Sequence, residues 1–203
     1  MILDPASAAP ADVHRLLIGV VVPRPIAFVS TISQDGRRNV SPFSFFNAIS
    51  SRPPLLAISI NTRGGEPKDT LRNIRETGDF VINMVDEALN ARMVQSSGDW
   101  PADVDEFALT GLTPVASDRV KSPRVAESPA SLECVLERVV EFGTTSLVVG
   151  EMVRAHVHDD VLTDGRVDPS KLRAVGRLGG DAYSVVRDVL HVARPRVPRP
   201  GAS

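Results

Sequence analysis

Long apolar runs are absent from this chain of 203 residues. Because no stretch of about 18 consecutive apolar residues occurs, the sequence predicts no membrane span. The first residues also lack the basic region and the long apolar region of a secretory signal, so we expect a cytoplasmic protein. Cysteine is equally scarce. The single Cys134 cannot form an internal disulfide, which is in keeping with a reducing compartment.

An excess of either charge sign is also missing. The net charge is −2, and acidic and basic residues are interspersed along the chain. This balance predicts no nucleic-acid partner, because such proteins carry a basic face. With 42% hydrophobic residues the chain can build one packed core. We assign residues 1–193 to a single domain and residues 194–203 to a proline-rich C-terminal tail.

Several motifs of common enzymes are lacking. The GRLGG run at 176–180 does not have the spacing of a dinucleotide fingerprint, and no Walker phosphate loop occurs. Ser44 has no GxSxG nucleophile elbow around it, so the sequence gives no support for nucleophilic hydrolysis. His156 and His158 lie on one face of a predicted strand, but no further ligand stands at a known spacing. We therefore predict no metal site.

What the chain does contain is a strand-rich pattern with peripheral helices. A hairpin is predicted across Asp35 and Gly36, a dipeptide that favours the positive-φ turn position. The predicted strands are 26–32, 38–41, 55–60, 80–85, 132–142 and 147–157. The predicted helices are 13–18, 68–77, 86–95 and a short turn after Asp168. This order favours an antiparallel barrel over alternating βαβ units.

One segment, residues 41–47, combines polar and aromatic residues in an unusual density. Its polar members are Ser41, Ser44 and Asn47, and its aromatic members are Phe43, Phe45 and Phe46. Buried hydroxyl and amide groups without partners are costly, so these residues do not suit a plain core strand. We predict a loop that binds a flat ligand with apolar faces and polar edges.

A second segment suits an anion. Lys68 and Thr70 stand at the start of the predicted helix 68–77, where backbone N–H groups are unpaired and the helix dipole is positive. Lysine is rare here, with only Lys121 and Lys171 besides. These features predict a phosphate site, but the same residues also fit an ordinary helix start in which Asp69 favours the dipole.

These stretches together resemble a known family. The motifs PRPIAFVST, NVSPFSFFNAISSRPPLLAISI, KDTLRNIRETGDFVINMV, ESPASLECVLERV and GRLGGDAYS are similar, in this order, to the flavin reductase-like family of FMN-binding split β-barrels, which includes flavoredoxin. The resemblance runs from about residue 23 to residue 183. It implies a mainly β fold with peripheral helices, a Greek-key split β-barrel of the FMN-binding type. It also implies a homodimer with FMN near the subunit interface.

The resemblance also implies roles for particular residues. Those expected along the flavin ring and ribityl chain are Thr31, Ser44, Phe45, Phe46 and Asn47. Those expected near the phosphate are Lys68, Asp69 and Thr70, with Ser59 and Asn61 as neighbours of the cofactor. His156 and Tyr183 are expected on the substrate side of the flavin.

The function implied is that of an FMN-binding oxidoreductase, an NAD(P)H-dependent flavin reductase. Such a protein takes a hydride from NADH or NADPH onto FMN and passes electrons to a separate acceptor. The acceptor could be free flavin, a partner monooxygenase, a ferric complex or a redox protein. The lack of an acid–base motif fits a protein whose cofactor carries the chemistry. A non-enzymatic FMN-binding electron-transfer protein fits the sequence equally well.

Overall fold

The structure is a computed structural model that describes residues 1–195. Residues 196–203, most of the predicted proline-rich tail, lie outside the described residues. The strands are β1 (Arg24–Pro25), β2 (Ala27–Ile32), β3 (Arg38–Phe43), β4 (Phe46–Ser51), β5 (Pro54–Asn61), β6 (Asp79–Asn83), β7 (Pro114–Val115), β8 (Arg124–Val125), β9 (Ala130–Phe142), β10 (Thr145–Val157), β11 (Leu162–Thr163), β12 (Arg166–Val167), β13 (Val175–Arg177) and β14 (Tyr183–Val185). The helices are α1 (Pro10–Val20), α2 (Asp69–Thr77), α3 (Asn90–Ser96), α4 (Glu106–Thr110) and α5 (Pro169–Leu172), with one 3₁₀ turn (Asp159–Val161).

A seven-stranded antiparallel sheet forms the body of the protein, in the order β3-β2-β6-β9-β10-β5-β4. The strand β6 lies between β2 and β9, so the chain crosses between hairpins as in a Greek key. The strand β3, at one end of this order, contacts β5, which is next to last at the other end. The sheet therefore curls into an incompletely closed barrel. The predicted fold class, a mainly β split barrel, is confirmed.

The hairpin between β2 and β3 forms as its turn residues predict. Gly36 has a φ of 86°, a conformation that an L side chain strains to adopt. Ser33 accepts a hydrogen bond from the backbone N–H of Arg37 at 2.9 Å and closes the turn. The register that follows places Thr31 opposite Asn39. The hairpin thereby fixes which side chains face the start of α2.

The polar and aromatic segment 41–47 is not a loop, contrary to the prediction. Ser41 and Phe43 belong to β3, whereas Phe46 and Asn47 begin β4. The strand β4 pairs with β5, with Asn47 opposite Ala57. Only the residues at 44 and 45 form the turn between the strands. Pairing with β5 accounts for the difference, because it satisfies the backbone N–H and C=O groups of the segment. The side-chain pattern does not reveal this pairing.

A second difference concerns residues 96–107, SSGDWPADVDEF, whose polar composition predicts a loop. The short helix α4 begins there, and the carboxylate of Asp105 accepts hydrogen bonds from the backbone N–H groups of Phe107 and Ala108 at 2.9 and 3.3 Å. Similarly, Asp86 accepts from the N–H of Leu89 in a turn, and α3 begins only at Asn90. The other predicted elements are present with shifted ends.

Two apolar clusters fill the interior. The first lies inside the barrel and includes Ile58, Phe80 and Cys134; the second lies beneath α3 and α4 and includes Phe28 and Met93. No helix among residues 1–195 is long and apolar enough to cross a membrane.

Candidate functional site

The turn between β3 and β4 borders a groove made of three neighbouring chambers, which share wall residues and all include Ser44. The apolar chamber has a volume of about 480 Å³ and includes Leu17, Phe45, Phe46, Asn47 and Leu147 in its walls. The cationic chamber, of about 240 Å³, includes Arg24, Ser59, Asn61, Lys68 and Arg177. The Tyr183 chamber, of about 230 Å³, includes Pro42, Phe43, Met93, Ser97, Arg177 and Tyr183.

Phe45 and Phe46 supply the aromatic part of the apolar chamber. The side chain of Phe45 stays 41% exposed although it is large and apolar. Its backbone C=O accepts a hydrogen bond from the N–H of Ser59 at 2.8 Å, which ties the turn to β5. Ser44 and Asn47 place polar groups at the chamber's margin. The apolar walls and polar margin suit a flat heteroaromatic ligand.

A small three-stranded sheet, β1-β13-β14, explains how the second and third chambers acquire their charge. Arg24 lies directly opposite Arg177, and Arg177 lies directly opposite Tyr183. Side chains that are directly opposite in antiparallel strands point to the same face. The three residues therefore meet on one side of this sheet, where the guanidinium of Arg177 stacks over the ring of Tyr183 at 4.4 Å.

The cationic chamber brings together three positive side chains that lack acidic partners. Among residues 1–195, no carboxylate lies within ion-pair distance of Arg24, Lys68 or Arg177. No carboxylate side chain lines the chamber either. Burial and the nearby positive charge of Arg63 lower the pKa of Lys68, and Asp99 offsets this only in part. An anion bound beside Lys68 would raise this pKa again, because an opposite charge favours the charged form of the ammonium group.

Arg24 is a residue of this site that the sequence reasoning missed. Its side chain is buried, and its guanidinium donates to the backbone C=O groups of Ile18, Val21 and Leu178 at 2.8, 2.7 and 2.9 Å. A longer contact of 3.4 Å joins it to the hydroxyl of Ser44. Burial, followed by the charge of Arg177, lowers the pKa of Arg24. The adjoining prolines in PRP are the only hint in the sequence.

Thr31 and Thr70, which the resemblance assigns to the cofactor, do not line the groove. Both hydroxyls are buried in a polar cluster, in which Asn39 donates to Thr31 at 3.3 Å and to Thr70 at 3.0 Å. Asn73 donates to Thr31 at 3.0 Å. This cluster joins the hairpin β2–β3 to the first turn of α2 and so positions Lys68, the residue before that helix.

Asp69 also lies outside the groove. Its carboxylate pairs with Arg72 one turn along α2, and it faces a separate polar cavity of about 270 Å³ together with Asn39. Asn61, by contrast, lines the cationic chamber beside Lys68 and accepts a hydrogen bond from the hydroxyl of Thr145 at 2.7 Å. Of the residues assigned to the phosphate and its surroundings, the groove thus contains Ser59, Asn61 and Lys68.

The structure separates His156 from Tyr183. His156 lies on β10, away from the walls of the groove in this chain, and its Nε2 is 2.6 Å from a carboxylate oxygen of the buried Glu133. The carboxylate of Glu133 also accepts the backbone N–H groups of Asp118 and Arg119 at 2.8 and 2.7 Å. Burial alone would raise the pKa of Glu133, but these hydrogen bonds outweigh it and lower that pKa.

Ligand atoms of Asp118, Glu133 and His156 lie within 4.8 Å of one another and could in principle hold a cation. Two positive side chains border the same group, because Arg154 is 3.6 Å from Asp118 and Arg124 is 4.0 Å from Glu133. The contacts therefore describe a network of ion pairs around a buried carboxylate.

Cys134 is fully buried in the barrel core, as its apolar strand face predicts. Burial, with a smaller contribution from the neighbouring Glu133, raises its pKa to about 12. The thiol is therefore protonated at neutral pH and does not act as a nucleophile.

The model of one protein family, described as the flavin reductase like domain, matches residues 19–171. The chain belongs to this family. The flavin reductase-like chain is 42% identical to a protein of Aquifex aeolicus over 172 residues, which cover 84% of this chain and 88% of that protein.

Solved structures agree with the assignment. Component B of nitrilotriacetate monooxygenase from Bacillus cereus is 33% identical, with a TM-score of 0.91 over 95% of this chain and 98% of that chain. The 2-nitrobenzoate 2-nitroreductase of Pseudomonas fluorescens is 31% identical, with a TM-score of 0.89 over 99% and 100%. Membership of the family supports a flavin-dependent oxidoreductase activity for this flavin reductase-like protein.

Proposed function

We propose that this protein is an FMN-binding, NAD(P)H-dependent flavin reductase that passes electrons from its flavin to a separate acceptor. One observation carries the proposal: an apolar chamber with two phenylalanines adjoins a chamber whose three cations lack carboxylate partners. A flavin mononucleotide has the matching parts, a flat ring system at one end and a phosphate at the other. The family of the chain supports the same cofactor class.

The residues of the groove fit such a ligand. Phe45 and Phe46 would flank the ring system, with Ser44, Asn47 and Ser59 at its polar edges. Lys68 and Asn61 would hold the phosphate, because no carboxylate side chain from residues 1–195 competes for the cationic chamber.

Three other residues assigned to the cofactor do not line the groove and would act on the cofactor indirectly, through the start of α2. Thr31 and Thr70 would hold the start of α2 through their bonds to Asn39. Asp69 would contribute only through the negative charge that it places at the first turn of the helix.

When bound, FMN supplies the acceptance and release of a hydride or of single electrons. The chain itself binds and orients the reactants and excludes water, which is what hydride transfer requires of a protein. NADH or NADPH is the proposed donor. Tyr183 is proposed for the substrate side of the flavin, while His156, paired with Glu133, would serve there only if a partner subunit brought it close.

We further propose a cytoplasmic homodimer that serves a partner monooxygenase or redox protein. Exposed apolar side chains support the dimer: Phe45, which lines the apolar chamber, is 41% exposed, and Ile49 and Phe142 are 53% and 62% exposed. Patches of this kind mark interaction surfaces. Similarity to a monooxygenase component supports the kind of partner.

The decisive experiment is to purify the protein, add FMN and follow the visible flavin absorbance, and then to add NADH or NADPH without oxygen. We expect a yellow protein that bleaches with one of the two nucleotides. A protein that gains no flavin absorbance would refute the proposal. A yellow protein that neither nucleotide bleaches would instead indicate the electron-transfer protein that the sequence leaves open.

A further inference from the structure

The Tyr183 chamber is not needed for the cofactor assigned above, although it adjoins the same groove. Its volume is about 230 Å³, below the range of about 300–1,000 Å³ that drug-sized ligands occupy. The chamber therefore has room for one ring and a substituent. Phe43 and Met93 provide apolar contact for such a ring, and Ser44 and Ser97 provide hydroxyl groups at the margin.

The positive charge of the Tyr183 chamber favours a ligand whose ring carries a negatively charged substituent. Among residues 1–195, no carboxylate side chain lines this chamber, and its one charged residue is Arg177. A guanidinium carries five N–H groups. One nitrogen of Arg177 donates to the hydroxyl of Tyr183, and another donates to the C=O of Gly180 at 2.5 Å. The other three N–H groups form no hydrogen bond within residues 1–195.

The guanidinium is also held in place before any ligand arrives. It lies 4.4 Å from the centre of the Tyr183 ring, and the pairing of β13 with β14 keeps the two residues opposite each other. A planar guanidinium fixed in this way favours a planar anion such as a carboxylate, which can accept two parallel N–H···O bonds from it. Little rotational freedom is then lost on binding.

We infer that the Tyr183 chamber is a second ligand subsite, beside the flavin site, for a small single-ring carboxylate, with Arg177 as the residue that determines its specificity. The inference rests on the proposed function, since flavin is taken to fill the other two chambers. A competing role exists for Arg177, because it also borders the cationic chamber and could bind the flavin phosphate. The test has to separate these two roles.

The test uses the full chain saturated with FMN and titrated in a calorimeter with benzoate, and separately with benzamide, its neutral counterpart. We expect benzoate to bind and benzamide to bind at least about tenfold more weakly, since the hydrogen bonds to a charged group are the stronger ones. Arg177→Gln should weaken benzoate binding by a similar factor and leave the affinity for riboflavin, a flavin without the phosphate, unchanged. Arg173→Gln, which alters an exposed ion pair with Glu87, is the matched control and should bind benzoate normally.

A second variant tests the volume of the Tyr183 chamber and leaves the charge of Arg177 in place. Ser97→Leu should fill the chamber and abolish benzoate binding without affecting FMN. Equal affinities for benzoate and benzamide, or no binding of benzoate, would overturn the inference. So would an Arg177→Gln variant that loses affinity for FMN but keeps its full affinity for benzoate, because Arg177 would then serve only the phosphate. If no flavin binds at all, the proposed function fails, and benzoate titration of the flavin-free protein and its Arg177→Gln variant still decides the subsite.

Discussion

Lys68 is the side chain on which the assignment of the phosphate depends most directly. It lies just before α2, lines the cationic chamber, and holds its ammonium group 5.8 Å from the centre of the Phe43 ring. Its lowered pKa reflects partial burial without an acidic partner. A bound phosphate would supply that partner, so the residue should matter for FMN and not for a flavin that lacks the phosphate.

We expect Lys68→Ala to weaken FMN binding by roughly 1.5–3 kcal/mol, the usual value for a hydrogen bond to a charged group. Riboflavin affinity should not change. Flavin fluorescence quenching measures both, and Lys121→Ala, an exposed lysine elsewhere, is the control. Equal losses for FMN and riboflavin would contradict the assignment of Lys68 to the phosphate.

Glu133 gives a pH-dependent prediction. Its carboxylate is buried and accepts three hydrogen bonds, so its pKa in the folded protein lies below the ordinary value. The charged form therefore contributes stability above the ordinary pKa, and this contribution is lost as the pH falls through the lowered one.

Glu133→Gln should lower the free energy of unfolding at pH 7 by about 1–3 kcal/mol, because at least one backbone N–H loses its acceptor. The difference from the natural protein should narrow as the pH falls below the lowered pKa. Urea denaturation at several pH values measures this, with Glu137→Gln on the exposed part of the same strand as control. A difference that stays constant with pH would show that the charge of Glu133 does not matter.

At the scale of elements, α4 depends on its cap. Asp105 accepts two backbone N–H groups at the start of this five-residue helix and also binds Arg38 through two nitrogens, at 2.9 and 2.6 Å. A helix this short has little stability of its own, so tertiary contacts and the cap must hold it.

Asp105→Ala should cost about 1–2 kcal/mol of stability, the typical value for the loss of an N-cap with a weak surface ion pair added. Chemical denaturation measures the loss. Asp103→Ala, two residues earlier and exposed, should have no measurable effect. If the two variants behave alike, the cap of α4 contributes nothing.

The elements that the sequence predicts well are those with a local cause. Gly36 marks a turn because its positive φ is local chemistry, and Asp168 with Pro169 marks the start of α5 in the same way. The segment 41–47 was misread because pairing with β5, a non-local interaction, decides that β4 is a strand. No periodicity within the segment records that partner.

The residues of the candidate site also differ in whether a local or a non-local cause places them there. Lys68 is predictable from the helix start, and Phe45 from the aromatic density of its segment. The role of Arg24 is not predictable, because its partners come from α1 and from residue 178, which are remote from each other in sequence. Thr31 and Thr70 carry the right residue types, but only the fold shows that their hydroxyls face Asn39.

At the scale of the whole molecule, β4 is one of the two edge strands of the main sheet and presents Ile49 to solvent with 53% exposure. Such an edge with apolar side chains is normally covered. A second copy of the chain is the cover that the proposed dimer provides.

Sedimentation should therefore give the mass of a dimer, and Ile49→Arg should convert the protein to a monomer, because an arginine cannot be buried there without a partner. Val167→Arg, a change at a 47% exposed position on β12, should leave the dimer intact. A monomeric natural protein, or an Ile49→Arg protein that remains dimeric, would contradict the role of this strand.

The unpaired cations of the groove also affect how the protein should be handled. Folding brings Arg24 and Arg177 close enough for the charge of one to lower the pKa of the other. Any anion that binds only the folded protein therefore stabilises it by mass action. We therefore expect phosphate and sulfate buffers to compete with the flavin and to raise the melting temperature of the protein. On this expectation, affinities and stabilities should differ between phosphate buffer and an anion-poor buffer, and the anion-poor buffer is the proper reference.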